Sequence, residues 1–238
     1  MKKVLLSFAV ASMIAALTPL KMTAQGVEFS VGADIVSSYV WRGSQLSGAS
    51  AQPSAELSIG DFSLGVWGST DLSGYKEVDF TASYSIGGLG IAVSDYFIPS
   101  GARYFDYSET GNHVFEGTLS YTLPEKFPLS IAWSTNFAGA DLKYDGKRAF
   151  STYVELGYPV TVKDVELGFS LGFTPWEGAA AGGGYYYTAG TDGFSVVNIG
   201  VKASKTIKIT DSFSIPAFSQ LVINPEREDI FLVFGLSL

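Results

Sequence analysis

Cysteine is absent from the 238 residues, histidine occurs once, and charged residues make up only 16%. Without cysteine there is no disulfide framework, thiolate metal site, cysteine nucleophile or lipidated N-terminal Cys. With His113 alone, a transition-metal site has too few soft or nitrogen donors, and only carboxylates remain, which suit a hard cation. Soluble proteins average about 25% charged residues, so the low value argues against an ordinary water-facing surface. Basic residues are also scarce, 15 against 23 acids, and the net charge of −8 excludes the basic footprint that nucleic-acid binding needs. Also missing is any apolar run of about 20 residues, the length of a helical membrane span.

The first 24 residues read as a cleaved signal peptide. Lys2 and Lys3 form a positive start, Val4 to Leu17 an apolar stretch, and Met22-Thr23-Ala24 offers a small residue at the cut before Gln25. An uncleaved anchor is the alternative, which the shortness of the apolar stretch disfavours. Removal of Lys2, Lys3 and Lys21 takes the net charge to −11. Any membrane crossing by residues 25–238 must then be made of strands.

What the chain has in abundance is alternation. Val78, Phe80, Ala82, Tyr84 and Ile86 interleave with Glu77, Asp79, Thr81, Ser83 and Ser85. Val165, Leu167, Phe169, Leu171 and Phe173 interleave with Glu166, Gly168, Ser170, Gly172 and Thr174. This period of two predicts strands over 27–42, 51–59, 62–71, 75–86, 89–98, 113–123, 128–138, 147–159, 165–174, 194–208, 213–224 and 229–238. Short turns alternate with connections on the opposite side, four of them long (43–50, 99–112, 139–146 and 175–193). The predicted fold is all-β: a transmembrane antiparallel up-and-down β-barrel of about 12 strands, with both termini periplasmic.

A soluble barrel or sandwich alternates too, with its apolar residues inside. Two features favour the membrane reading. The polar face is mostly Ser, Gly and Thr rather than the Lys and Glu of a solvated sheet. The apolar face carries aromatic residues near both strand ends: Tyr84, Tyr121 and Tyr158 by the short turns, and Tyr39, Trp41 and Phe137 by the long loops. Amphipathic rings are stable at headgroup depth, so these six form the expected interfacial girdle. By phase, Asp34, Arg42, Glu56, Glu77, Asp79, Glu116, Glu155, Glu166 and Lys202 project into the lumen as pore-lining residues. Seven acids against two bases favour cations if water fills the interior. The competing expectation is mutual pairing that plugs a bore of intermediate size.

Catalytic chemistry finds little support. His113 falls in phase with Phe115, Leu119 and Tyr121, predicting a lipid-facing or interfacial position with no role. Glu77 and Asp79 could act as an acid–base pair, but no substrate constellation accompanies them. The run Ala181-Gly182-Gly183-Gly184-Tyr185-Tyr186-Tyr187 lacks the Lys-Ser/Thr of a phosphate loop and reads as a flexible loop with an aromatic tip; the alternative is a loop folded over the pore mouth.

Ser37-Ser38-Tyr39-Val40-Trp41-Arg42-Gly43, Gln45, Gln52-Pro53-Ser54-Ala55, Gly65-Val66-Trp67-Gly68-Ser69 and Glu77-Val78-Asp79 follow one another in an order that resembles the TorF family of outer-membrane porins. The likeness is clearest over residues 30–98, and Gly43-Ser44-Gln45 is one residue shorter than members often show. The resemblance implies a barrel and a pore, with no substrate or catalytic residue to carry over.

The combined expectation is a non-enzymatic outer-membrane channel for small hydrophilic solutes that takes no cofactor. Its partners are outer-membrane lipids and, during biogenesis, the barrel assembly machinery. A structural or surface-interaction barrel with a plugged lumen is the second reading, and a membrane-embedded hydrolase the third.

Overall fold

The computed structural model describes residues 22–24, 26–108, 111–124, 126–176, 186–211 and 213–238. Most of the predicted signal peptide therefore lies outside the described residues. Twelve strands close a barrel: β1 Val27–Val36, β2 Ser50–Ile59, β3 Phe62–Asp71, β4 Lys76–Ile86, β5 Leu89–Phe97, β6 His113–Thr122, β7 Ser130–Gly139, β8 Thr152–Val162, β9 Val165–Thr174, β10 Ser195–Lys208, β11 Ser214–Asn224 and β12 Asp229–Ser237. Each pairs antiparallel with its sequence neighbours, and β12 returns to β1 through Gly235↔Val36, Leu236↔Ile35 and Ser237↔Asp34. The seam is short beside the ten pairs of β1 with β2. It is extended by the reciprocal bonds between Ala33 and Leu238 and by Ser37, whose N–H donates to the Phe234 carbonyl while its hydroxyl accepts the Phe234 N–H.

Closure gives each strand a neighbour on both sides, and apart from the β12–β1 seam, where pairing is confined to residues 33–37 and 234–238, the ladder bonds are met within the wall, the condition for strands in lipid. All twelve strands turn apolar side chains outward, among them Phe29, Ile59, Leu64, Phe80, Ile91, Leu119, Ile131, Phe169, Ile199, Leu221 and Leu232, all exposed. Soluble monomers rarely expose apolar patches above about a few hundred Å², and a belt around the whole circumference is a lipid-facing surface.

Three predicted boundaries differ from the observed ones by three residues or more. The strand predicted over 27–42 stops at Val36, and the chain then turns into the barrel as a small hairpin, Tyr39–Trp41 paired with Ser44–Ser47. The segment 43–50 is thus half of an inserted hairpin rather than an outer loop. The strand predicted over 147–159 runs over Thr152–Val162, because Asp141 accepts bonds from the Ser151 N–H (2.9 Å) and hydroxyl (2.8 Å), holding the preceding residues in the rim loop. In that rim loop, burial raises the Asp141 carboxyl above its ordinary range, opposed by those two bonds. The turn predicted over 160–164 shrinks to Lys163 and Asp164, with Lys163 at φ +58°.

Candidate functional site

The wall delivers the polar face to the interior by phase alone. Asp34 on β1, Glu56 on β2, Glu77 and Asp79 on β4, Glu116 on β6, Glu155 on β8, Glu166 on β9 and Lys202 on β10 all take inward positions, fixed by pairings such as Trp67↔Asp79, Ser94↔Glu116, Ala132↔Glu155 and Gly168↔Lys202. Arg42 is inside as well, but it arrives on the inserted hairpin rather than on the wall.

Arg42 is the hub of the half nearer the long connections. Its guanidinium forks onto Glu116, Nη1 to Oε2 at 2.5 Å and Nη2 to Oε1 at 2.9 Å, and Nη1 also donates to the Tyr187 hydroxyl at 2.7 Å. The same group lies 4.4 Å from the Trp41 ring centre and 4.6 Å from that of Tyr153. Tyr96 adds a hydroxyl donor to Glu116 at 2.9 Å. Planar bidentate pairing combined with stacking on rings is what guanidinium offers and ammonium does not. Both charged groups are almost wholly buried. Removing either leaves an uncompensated charge, at a cost of about 3–5 kcal/mol.

The rest of the hairpin packs around this hub. Tyr39 lies against Trp67 (5.4 Å) and Tyr75 (6.0 Å), and Trp41 against Tyr96, Tyr186 and Tyr187. Tyr39 and Trp41 are therefore lumenal, not members of the outer girdle: alternation continued past Val36, but the chain left the wall there. Tyr84, Tyr121, Tyr158 and Phe137 lie on the outer wall. Residues 177–185, with the triple glycine, lie outside the described residues; Tyr186 and Tyr187 enter the barrel mouth, corresponding to the folded-in alternative rather than a free tip. Arg227 braces them, donating to the Tyr187 and Thr188 carbonyls.

Sequence reasoning missed the inward aromatics. Trp67, Tyr96 and Tyr153 sit in phase with Ser69, Ser94 and Glu155, on the polar face, and that phase violation was the available signal of a filled lumen.

His113 occupies its outward phase yet is fully buried. The loop after β5 folds down over the outer wall, with Tyr104 and Tyr107 covering the imidazole at 5.2 and 4.5 Å. Nδ1 lies 2.7 Å from Asp95 Oδ1 and Nε2 2.6 Å from the Tyr104 carbonyl. Each ring nitrogen thus has a partner, one on β5 and one in the covering loop. His113 is a strap for the loop, not an idle interfacial residue. Replacing it with leucine is expected to make the 98–112 loop cleavable in limited proteolysis while the barrel stays folded; uncut protein would show that the rings alone hold the loop.

At the mouth nearer the long connections, Trp41, Tyr96, Tyr186 and Tyr187 enclose a cavity of about 200 Å³, completed by Glu77, Ser44, Leu46, Ile98, Asn112 and Val114. Glu77 accepts the Tyr75 hydroxyl at 2.7 Å, whereas no side-chain donor reaches either oxygen of buried Asp79. Among the described residues, no basic group forms an ion pair with either acid. Nor does any cluster of three or more His, Cys, Asp and Glu with the geometry to hold a metal ion occur among them.

No protein-family model matches the chain, and no curated protein matches it in sequence, so the TorF resemblance rests on its short motifs. Among solved structures the chain is similar to a crystal structure of a doubly substituted OccD1 (OprD), with 12% identity, a TM-score of 0.40, and coverage of 92% of this chain and 67% of that one.

Proposed function

We propose that this chain is an outer-membrane diffusion channel for small hydrophilic solutes, constricted at its outer end by the Arg42 hairpin and selective for cations. The closed wall with its apolar belt supports the location. The charge inventory of the interior carries the rest. Seven acids face two bases across a lining of Ser, Thr and Gly interrupted by inward aromatic rings, and of the acids only Glu116 has a forked basic partner. Buried unpaired carboxylates are costly to a fold that uses them only as filler, and a cation pathway gives them a role.

Purified mature barrel in planar bilayers tests this reading. The expected result is stepwise conductance with a reversal potential showing cation preference. In the double variant Glu77→Gln/Asp79→Asn that preference should weaken by about threefold or more, since these groups lie within a Debye length, about 10 Å at 0.1 M salt, of any ion passing the hairpin. An unchanged reversal potential would remove both residues from the pathway.

The second reading, a structural barrel with a plugged lumen, is favoured by the hairpin itself. Folded protein that is silent in the bilayer would establish it and overturn the channel. The hydrolase reading loses its base, because both ring nitrogens of His113 are engaged on the outer wall.

A further inference from the structure

We infer that the aromatic vestibule at the outer mouth is a binding site for the ammonium or guanidinium end of a small organic cation. The inference deepens the channel reading, since it names the solute class met first by that mouth.

Three features converge. The cavity is small, about 200 Å³, against the 300–1,000 Å³ or so of pockets that engulf whole drug-sized ligands; it suits the terminal group of a solute. Its walls are the rings of Trp41, Tyr96, Tyr186 and Tyr187, with Glu77 as the one charged group. Aromatic faces attract cations and do nothing for anions, and a carboxylate among them sets the sign. Finally, the acids at the site have no basic partner among the described residues. Glu77 and Asp79 occupy successive inward positions of β4, 6% and 4% exposed, and the former is met by tyrosine, with the Tyr75 hydroxyl donating to it at 2.7 Å.

The protein itself displays the chemistry at the adjoining position. Arg42 lies among Trp41, Tyr153 and Tyr187 with Glu116 forked onto it. Trp41 and Tyr187 belong to both places, so the same rings that cradle the resident guanidinium also wall the vestibule. Two aromatic–carboxylate cages thus adjoin; one holds Arg42, and the other has its acid without a base.

The test is equilibrium binding to the refolded mature barrel in detergent micelles, which requires no conduction. The probes are ethylguanidinium and propylammonium, with propanamide, propionate and glucose as comparisons, followed by calorimetry and tryptophan fluorescence. The expected result is saturable binding of both cations, weakened about tenfold or more by Glu77→Gln and by Tyr186→Ala. Asp61→Asn, in the short turn between β2 and β3 at the opposite end of the barrel, should leave it unchanged. The fluorescence response should vanish in Trp41→Phe while heat of binding persists. Equal binding of propanamide, or binding indifferent to both Glu77→Gln and Tyr186→Ala, would overturn the inference. Glucose binding in place of the cations would assign the vestibule to carbohydrate instead and equally overturn it. A silent bilayer with intact cation binding would sink the channel and spare the site; conductance without binding would do the reverse.

Discussion

Replacing Arg42 with alanine is expected to unseat the hairpin and raise single-channel conductance severalfold without dismantling the wall. The variant deletes the forked pair to Glu116, the bond to the Tyr187 hydroxyl and the stacking on Trp41 and Tyr153. It also leaves Glu116, 1% exposed, with only hydroxyl donors, Tyr96 at 2.9 Å and Thr118 at 3.4 Å. Stranding a charge in this way costs about 3–5 kcal/mol, more than most single contacts contribute. The cheapest relief is for the hairpin to withdraw and water to reach Glu116. The wall is insulated from this, because Tyr39–Ser47 contributes no rung to the twelve-strand ladder. Larger, noisier conductance steps and new proteolysis between residues 38 and 48 are the expected readouts. A companion variant, Arg42→Met with Glu116→Leu, removes both charges; it should recover much of the lost stability, since replacing a buried pair with packed apolar groups is often neutral or better. If Arg42→Ala conducts and resists protease as the parent does, the pair does not latch the hairpin.

The sequence disclosed the wall far better than its contents, and the reason is physical. A strand repeats every two residues whatever it pairs with, so Val78 to Ile86 and Val165 to Phe173 reveal inside and outside directly. The same regularity misleads where a chain keeps its extended habit but leaves the sheet. Tyr39 and Trp41 continue the odd phase of Phe29, Val31 and Ile35, yet pairing to β12 ends at Ser37, whose hydroxyl accepts the Phe234 N–H and closes the seam. Nothing local distinguishes a last wall residue from the first of an inserted hairpin; the difference is a set of contacts more than 70 positions away, Arg42 with Glu116 and with Tyr187. His113 fails for a related cause. Its phase was legible, but the loop that covers it is placed by Asp95 and the Tyr104 carbonyl, which periodicity does not register. The acids of the lumen were legible because charge on the lipid face is expensive and the phase is forced. Their partners were not.

Gly43→Ala should displace the same hairpin by a different route. Gly43 has φ +82°, a left-handed backbone that costs a side-chain-bearing residue about 1 kcal/mol or more. A Cβ there would meet the Val197 carbonyl oxygen at 1.8 Å and its carbon at 2.9 Å, with Asn224 Nδ2 at 3.2 Å. The nearest obstacles are backbone of the wall strand β10, which cannot swing aside as a long side chain could, and Asn224 already donates to the Gly43 carbonyl at 3.0 Å. Overpacking of this kind adds about 1–3 kcal/mol, so the total rivals the loss of Arg42 although no charge is touched. Gly60→Ala is the control: φ is +60° but no atom lies within 4 Å of the added carbon, so only the backbone term remains. Trp41 fluorescence should shift to the red in Gly43→Ala as the ring leaves its tyrosine neighbours, and stay put in Gly60→Ala. The decisive comparison is the double variant Arg42→Ala/Gly43→Ala. If both substitutions act by freeing one hairpin, the second has nothing left to release, and the combined loss of stability should barely exceed the larger single loss. Additive losses would mean that Gly43 and Arg42 support separate parts of the lumen and that the hairpin does not move as a unit.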